Sequence, residues 1–243
     1  MLIGLYGVRR RLLFDRTMKL RSERLEVGVS KDTGMINSIR TPMTPNLIQS
    51  KYGFVYNEYY DLSKQRYFDQ LHARDVWAHA TRDASAWRVV TAGIVGSKHG
   101  ERGSMFFLNE YVVDDIHPRI SVSVERLYLD SVRARDDSIC FIFTREPDWI
   151  MRYSIGDRES ACERIVNPPQ TGVCASMGGP MASVSICPTM IIPHSGQLRC
   201  TPPRPIYKEI EYDWHPGEGG LIPAGTRQVF RADIEVLSET QIR

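Results

Sequence analysis

The run with the most chemically capable side chains lies between positions 69 and 79, where the sequence reads Asp-Gln-Leu-His-Ala-Arg-Asp-Val-Trp-Ala-His. In a β-strand, every second side chain points to the same face. A strand over residues 75–81 would therefore place Asp75, Trp77 and His79 together. That face would combine a carboxyl group, an aromatic platform and an imidazole that titrates near neutral pH, which suits general acid–base catalysis.

Acid–base catalysis also needs a second titratable group on the other side of a cleft. Glu110 and His117 are the candidates for that role, and His72 is a further candidate imidazole within the same run. The competing interpretation is that these polar residues form a solvated or structurally hydrogen-bonded sheet face.

Residues suited to sugar binding recur later in the chain. Sugars are bound by aromatic faces that stack on C–H surfaces and by planar polar groups that hydrogen-bond hydroxyls. The candidate substrate-binding residues are Trp77, Arg145, Trp149, Arg152, Trp214 and His215. Cross-strand packing is the alternative role for the aromatic members, because such pairs stabilise sheets without any ligand.

Other chemistries find little support. Asp114, Asp115 and His117 are adjacent metal-binding types, but the further oxygen ligands of a hard cation are not evident. The glycine-rich segments lack the lysine and following helix of a phosphate loop, and no serine lies in a G-x-S-x-G elbow. The sequence therefore predicts no metal and no cofactor.

A hairpin is the clearest element that would position such residues. Leu25, Val27 and Val29 alternate with polar or small residues, the turn sequence Lys-Asp-Thr-Gly follows at 31–34, and β-forming residues resume at 35–39. Alternation on both sides of a glycine-containing turn predicts two paired strands.

Strand-like blocks also continue through the rest of the chain. They are predicted at 75–81, 87–95, 104–113, 119–132, 138–145, 149–155, 182–186, 190–192, 206–212 and 228–236. Residues 149–155 are expected to be the hairpin partner of the buried strand 138–145, and 166–180 to be a long loop. Between 61 and 71 a short helix competes with aromatic-rich strands.

The predicted fold class is all-β, a large antiparallel β-sandwich with few short helices, because no long 3.6-residue apolar stripe is found. The basic residues between Arg9 and Arg24 predict an N-terminal arm or edge strand over 1–22, followed by a sandwich domain over 23–243.

Composition limits the classes of partner and compartment. With 31 basic and 29 acidic residues the net charge is +2, which disfavours nucleic acid and anionic membranes. No apolar stretch reaches the roughly 20 residues of a membrane helix. The five cysteines form no C-x-x-C pair and are predicted to be mainly reduced, buried thiols in a cytoplasmic protein, with one or two disulfides left open.

Three short segments carry a family resemblance. Residues 23–39, with their Asp-Thr-Gly turn, resemble the first hairpin of galactose-mutarotase-like supersandwich domains of carbohydrate-active enzymes. Residues 66–70 (Arg-Tyr-Phe-Asp-Gln) resemble a segment in the C-terminal sandwich of α-mannosidase-type glycoside hydrolases, and 221–226 resemble the closing strand of such domains. The histidine that mutarotases carry in an N-x-x-N-H-type segment has no counterpart at 167–172.

This resemblance implies a carbohydrate-associated sandwich, either an accessory domain or a small subunit of a glycoside-processing system. Its partners would be a saccharide and a larger catalytic chain or further copies of itself. The alternatives are a free-standing sugar epimerase or lyase that uses a histidine and a carboxylate, and a structural protein that forms oligomers.

Overall fold

The computed structural model describes residues 16–48, 52–144, 149–155, 158–161, 165–166, 173–179, 182–193, 197–201, 207–214 and 220–238. Within these ranges the chain forms β-strands and no helix. The first nine strands are β1 (Thr17–Arg21), β2 (Glu26–Ser30), β3 (Ile36–Arg40), β4 (Phe54–Asp61), β5 (Arg66–Arg82), β6 (Ala86–Gly96), β7 (Arg102–Asp114), β8 (Arg119–Tyr128) and β9 (Val132–Thr144). The others are β10 (Ile150–Ile155), β11 (Arg158–Ala161), β12 (Ile165–Val166), β13 (Val173–Gly178), β14 (Ala182–Ile192), β15 (Gln197–Thr201), β16 (Tyr207–Asp213), β17 (Leu221–Ile222) and β18 (Arg227–Ser238).

The strands form two antiparallel layers. The first layer has the order β5-β6-β7-β8-β18-β14-β13-β10-β11. The second has the order β1-β2-β3-β4-β9-β16-β15-β12, with β17 also pairing with β9. The start of β5 pairs with the end of β4, so β5 passes from the second layer into the first. The all-β sandwich predicted from the sequence is confirmed.

The main core lies between the layers. Alternating residues of both sheets contribute, among them Val27 and Phe141 from the second layer and Val122, Val184 and Phe230 from the first. Burying apolar surface at about 25 cal/mol per Å² is the main term that favours this packing.

A buried ion pair also joins the layers. Arg126 on β8 donates to Asp137 on β9, and both side chains are fully buried. Tyr128 Oη donates to the same carboxylate at 2.7 Å, and Gln228 Nε2 donates at 2.5 Å. Since an isolated buried charge is costly, these bonds make the pair tolerable in the interior.

The predicted first hairpin is confirmed as β2 and β3. Its turn contacts the buried face of the first layer, where Thr91 Oγ1 of β6 (2.9 Å) and Tyr111 Oη of β7 (3.0 Å) both donate to Gly34 O. Gly34 has φ +73°, a conformation that is costly for residues with a Cβ.

Two local predictions were wrong, and one open alternative is decided in favour of strands. β10 is not the hairpin partner of β9, because it pairs with β11 and β13 in the other layer. Residues 173–178, predicted as loop, form β13. Between 61 and 71 the strands β4 and β5 meet at a tight turn, so the helical alternative does not hold.

The cysteines behave only partly as predicted. Cys140 is a free, buried thiol. Cys174 on β13 and Cys187 on β14 form a disulfide between neighbouring strands, which is within the one or two disulfides that the sequence left open. Cys162 lies outside the described residues.

The structure contains no candidate for a membrane-spanning helix in the ranges described above.

Candidate functional site

Titratable and aromatic side chains of the described residues converge around a cleft of about 430 Å³. It lies where β4, the start of β5 and the β6–β7 turn meet. Its lining consists of Tyr56, Glu58, Tyr60, Gln65, Arg66, Tyr67, Asp69, His72, Lys98 and His99.

Strand alternation explains how β4 supplies the floor. Tyr56, Glu58 and Tyr60 face the cleft, whereas Asn57 and Tyr59 between them are fully buried. Asn57 Nδ2 donates to Gln70 Oε1 at 2.7 Å on the interior side. This buried amide contact ties the cleft segment of β4 to the cleft segment of β5.

Glu58 lies in an unusual environment for a carboxylate. Burial raises its pKa well above the ordinary value, and repulsion from Glu209, Glu211 and Asp69 raises it further. The carboxyl group therefore holds its proton to a higher pH than an exposed glutamate does. A protonated carboxyl in a sugar-sized cleft is a hydrogen-bond donor and a potential general acid.

His72 and Asp69 form a second polar unit on β5. His72 Nδ1 lies 2.7 Å from Asp69 Oδ1, and the backbone N of His72 donates to the same oxygen at 2.9 Å. With the proton on Nδ1 facing the carboxylate, the lone pair is on Nε2, which gives the ring the arrangement of an oriented base. Burial, and then the nearby Glu58 and Asp69, raises the pKa of the Tyr56 hydroxyl beside this unit.

Aromatic rings form one wall. Tyr60 and Tyr67 are opposite each other on β4 and β5, with ring centroids 4.9 Å apart and an edge-to-face geometry. Tyr67 is 42% exposed, and its hydroxyl donates to Asp136 at 2.9 Å. A half-exposed, anchored ring is suited to stacking against the apolar face of a sugar.

The residues best placed to hold a metal are Glu58, Cys140 and Glu211, whose ligand atoms lie within 4.8 Å of one another. Burial and the nearby Glu209, Glu58 and Glu211 raise the pKa of the Cys140 thiol well above its ordinary value. Cysteine and carboxyl groups bind metals in their deprotonated forms. Since burial and nearby carboxyl groups raise the pKa of both Glu58 and Cys140, each releases its proton to a metal less readily than an exposed ligand does, and the residues fit a metal poorly.

The structure aligns two predicted catalytic residues but does not place them in the cleft. His79 is opposite Val90 on β6, and Val90 is opposite Glu110 on β7, so both candidates lie on the outer face of the first layer. Two strand spacings separate them, which is about 9.6 Å. Glu110 forms an ion pair with Arg88, and His79 is exposed.

Asp75 and His117 occupy other places. Asp75 has φ +55°, and the β5–β6 register shifts between Arg74 and Trp77. This irregularity breaks the simple alternation that was expected to align Asp75 with His79. His117 lies on the β7–β8 turn, where its backbone N donates to Asp114 Oδ1 at 2.8 Å.

The predicted binding aromatics have different exposures. Trp77 is 54% exposed and stacks on His79 with centroids 5.8 Å apart. Trp149 and Trp214 are only 7% and 3% exposed and belong to the core, which argues against a stacking role.

The predicted polar binding residues are only partly described. Arg152 is exposed on β10. Arg145 and His215 lie outside the described residues.

Sequence reasoning missed Glu58 and the tyrosines around it. The signal was present as Tyr56, Glu58 and Tyr60 at i, i+2 and i+4, but the surrounding aromatic residues obscured the period. Cys140 and Glu211 are opposite each other on β9 and β16, a pairing that no local pattern could have indicated.

Comparisons with solved structures identify the fold. The chain superposes on galactose 1-epimerase from Lactobacillus acidophilus NCFM with a TM-score of 0.60 and 9% identity, covering 91% of this chain and 94% of that one. A galactose mutarotase-like protein from Clostridium acetobutylicum gives 0.54 and 9%, with 91% and 95% covered. The galactosidase domain of an α-galactosidase-sucrose kinase gives 0.55 and 6%, with 92% and 41% covered.

No family model matches the chain, and no curated protein sequence matches it. At these identities the structural similarity establishes the fold, which is galactose-mutarotase-like, as the resemblance of the first hairpin predicted. The resemblance to the mannosidase sandwich stays a prediction.

Proposed function

We propose that the cleft between β4, β5 and the β6–β7 turn binds a monosaccharide or the terminal unit of a saccharide. The observation that carries this proposal is the convergence of the Glu58 carboxyl, whose pKa is raised, an oriented histidine and a half-exposed tyrosine in one cleft of about 430 Å³. Donors, acceptors and an aromatic face are what sugar recognition requires. The fold shared with proteins named for galactose is further support.

Binding can be tested by titrating the protein with a panel of monosaccharides in a calorimeter. We expect Tyr67→Ala to weaken binding about tenfold, because the substitution removes the stacking wall. Trp77→Ala is the matched control, since Trp77 is an exposed aromatic residue outside the cleft. Equal weakening by the two substitutions would contradict the proposed location, and binding of no sugar would refute the function.

A second candidate function is 1-epimerisation of a free aldose, favoured by the pairing of an acid and a base in the same cleft. His72 would remove the proton from the anomeric hydroxyl, while Glu58 would protonate the ring oxygen. The bond between C1 and the ring oxygen then breaks to give the open-chain aldehyde. Reversal of both proton transfers after rotation of the aldehyde closes the ring on the other face.

Epimerisation can be tested by following the interconversion of pure α-galactose by polarimetry. We expect Glu58→Gln and His72→Asn each to lower the catalysed rate by at least about 100-fold. His79→Asn is the control, because His79 lies on the outer face of the first layer. Loss of rate in His79→Asn alone would instead favour the site predicted from the sequence, and no acceleration by the unaltered protein would exclude this activity.

The narrower roles stay predictions. An accessory domain beside a larger catalytic chain is compatible with the galactosidase domain, in which this fold covers only 41% of the chain. Self-assembly and a cytoplasmic location rest on the sequence alone.

A further inference from the structure

We propose that the cleft selects sugars that carry an anionic substituent, a phosphate or a carboxylate, bound at its rim by Lys98 and His99. This inference rests on the proposed sugar-binding function and names the class of sugar. The observations that carry it are the construction of the β6–β7 turn and the distribution of charge between the rim and the floor of the cleft.

The turn that carries Lys98 and His99 is a defined structure. Ser97 N donates to Glu101 O at 3.0 Å, and Gly100 N donates to Ser97 O at 2.9 Å. Gly100 has φ +87°, which a residue with a Cβ adopts only at a cost. The backbone therefore presents Lys98 and His99 at a fixed place over the cleft.

Two arginines of β5 form polar contacts with this turn. Arg74 Nη2 donates to Gly100 O, and Arg66 Nη1 forms an ion pair with Glu101 at 2.6 Å. Arg66 thereby engages the carboxylate that adjoins the turn.

Lys98 and His99 are left without an acidic partner. Both are exposed and line the cleft, yet neither forms an ion pair with any carboxylate in the described part of the chain. Each of the two carboxyl groups that line the cleft has another partner, since Asp69 contacts His72 and Glu58 accepts from the Cys140 thiol. The rim therefore presents two hydrogen-bond donors, the Lys98 ammonium and the His99 imidazole, that form no ion pair with a carboxylate in the described residues.

The floor has the opposite character. Glu58 lines the cleft together with Asp69, its carboxyl oxygen lies within 4.8 Å of that of Glu211, and besides burial the nearby Glu209, Glu211 and Asp69 raise its pKa. An anionic group on a ligand would be repelled from this floor and attracted to Lys98. The anionic end of a sugar would therefore lie at the rim, and its neutral hydroxyls would face Glu58 and His72.

The test compares neutral and anionic forms of the same sugars. Glucose, galactose and mannose, their 6-phosphates, and their uronates are titrated into the full chain at low and at physiological salt. We expect one anionic series to bind about tenfold tighter than the neutral sugars, with the advantage reduced by salt, because charge-assisted hydrogen bonds are stronger than neutral ones and are screened when exposed. Inorganic phosphate alone should bind much more weakly than a sugar phosphate.

Substitutions of Lys98 and His99 test whether these two residues cause the preference for anionic sugars. Lys98→Gln and His99→Gln should lower the affinity for the anionic sugars about fivefold to tenfold and lower the affinity for the neutral sugars much less. Lys19→Gln is the matched control, because it makes the same change of charge on an exposed residue of β1 outside the cleft. Circular dichroism of each variant verifies the β fold.

Each outcome decides the inference. A preference for 6-phosphates alone or for uronates alone identifies the source of the anion and supports the rim assignment if Lys98→Gln removes it. Equal binding of neutral and anionic sugars overturns the inference while the proposed function stands. A preference that survives substitution of both Lys98 and His99 also overturns it, and binding of no sugar at all refutes the proposed function together with it.

Discussion

At the scale of single residues, Glu58 has the most informative environment in the cleft. Its side chain is partly exposed in the cleft, yet burial and then the nearby Glu209 and Glu211 raise its pKa. An ionised glutamate close to other carboxylates destabilises the folded state, unless the glutamate keeps its proton or binds a ligand. This is why we assign it the acid role.

The pH dependence of stability should reveal this proton. Burial, and then repulsion from Glu209 and Glu211, raises the pKa of Glu58 in the folded state above its ordinary value of 4.5. A raised folded-state pKa gives stabilisation that is complete below the unfolded pKa and is lost as the pH rises through the folded pKa. The free energy of unfolding should therefore fall as the pH rises above 4.5, and Glu58→Gln should remove this component.

The measurement is urea unfolding at a series of pH values. Glu110→Gln is a suitable control, because Glu110 is a glutamate on the outer face of the first layer, paired with Arg88. A Glu58→Gln variant with the same pH slope as the unaltered protein would contradict the assignment.

At the scale of elements, the turn of the first hairpin contacts β5, one of the two strands that line the cleft. Gln70 Nε2 donates to Thr33 O at 2.9 Å, and the same Gln70 binds Asn57 next to Glu58. The β2–β3 turn is thus connected through β5 to the strand that forms the floor. Asp69, which orients His72, directly precedes Gln70 in β5.

We expect Gly34→Ala to destabilise the protein more than Gly225→Ala. Both glycines have positive φ, which costs about 1–2 kcal/mol for a residue with a Cβ. A Cβ on Gly34 would also lie 2.9 Å from Thr91 Oγ1, whereas a Cβ on Gly225 meets nothing within 4 Å. Crowding of this kind adds about 1–3 kcal/mol.

Thermal and urea unfolding of both variants check this expectation. Gly34→Ala should also weaken sugar binding, because the displaced turn carries the carbonyl that holds Gln70. Equal losses of stability in the two variants would show that the turn is not packed as described.

At the scale of the whole molecule, the two layers are joined by the apolar core and by the Arg126–Asp137 pair. Asp137→Ala would leave the Arg126 guanidinium buried without its counter-charge. We expect this substitution to cost about 3–5 kcal/mol. The double variant Arg126→Met/Asp137→Leu should cost less, since neither residue then leaves a buried charge.

Urea unfolding tests both the cost of Asp137→Ala and the predicted single domain over 23–243. The transition is followed by tryptophan fluorescence and by far-ultraviolet circular dichroism. Coincident transitions are expected if the sandwich unfolds as one unit. Separate transitions would contradict the single domain, and an Asp137→Ala variant within about 1 kcal/mol of the unaltered protein would contradict the role of the ion pair.

The sequence by itself determined the fold class and most strand positions, because a strand buried on one face imposes a two-residue period that is visible locally. Alternation at Leu25, Val27 and Val29 and the Gly34 turn predicted β2 and β3. The same reasoning placed β6, β7 and β18 closely, since each carries its own apolar stripe.

Beyond the first hairpin, only the tertiary structure decided which strands are neighbours and which faces meet. It paired β10 with β13, brought Glu58 beside Cys140 and Glu211, and set Lys98 and His99 over the floor formed by β4. It also placed His79 and Glu110 on a different face from His72. These contacts join residues far apart in the chain, and their pairing depends on the packing of both layers at once, which no short run of side chains encodes.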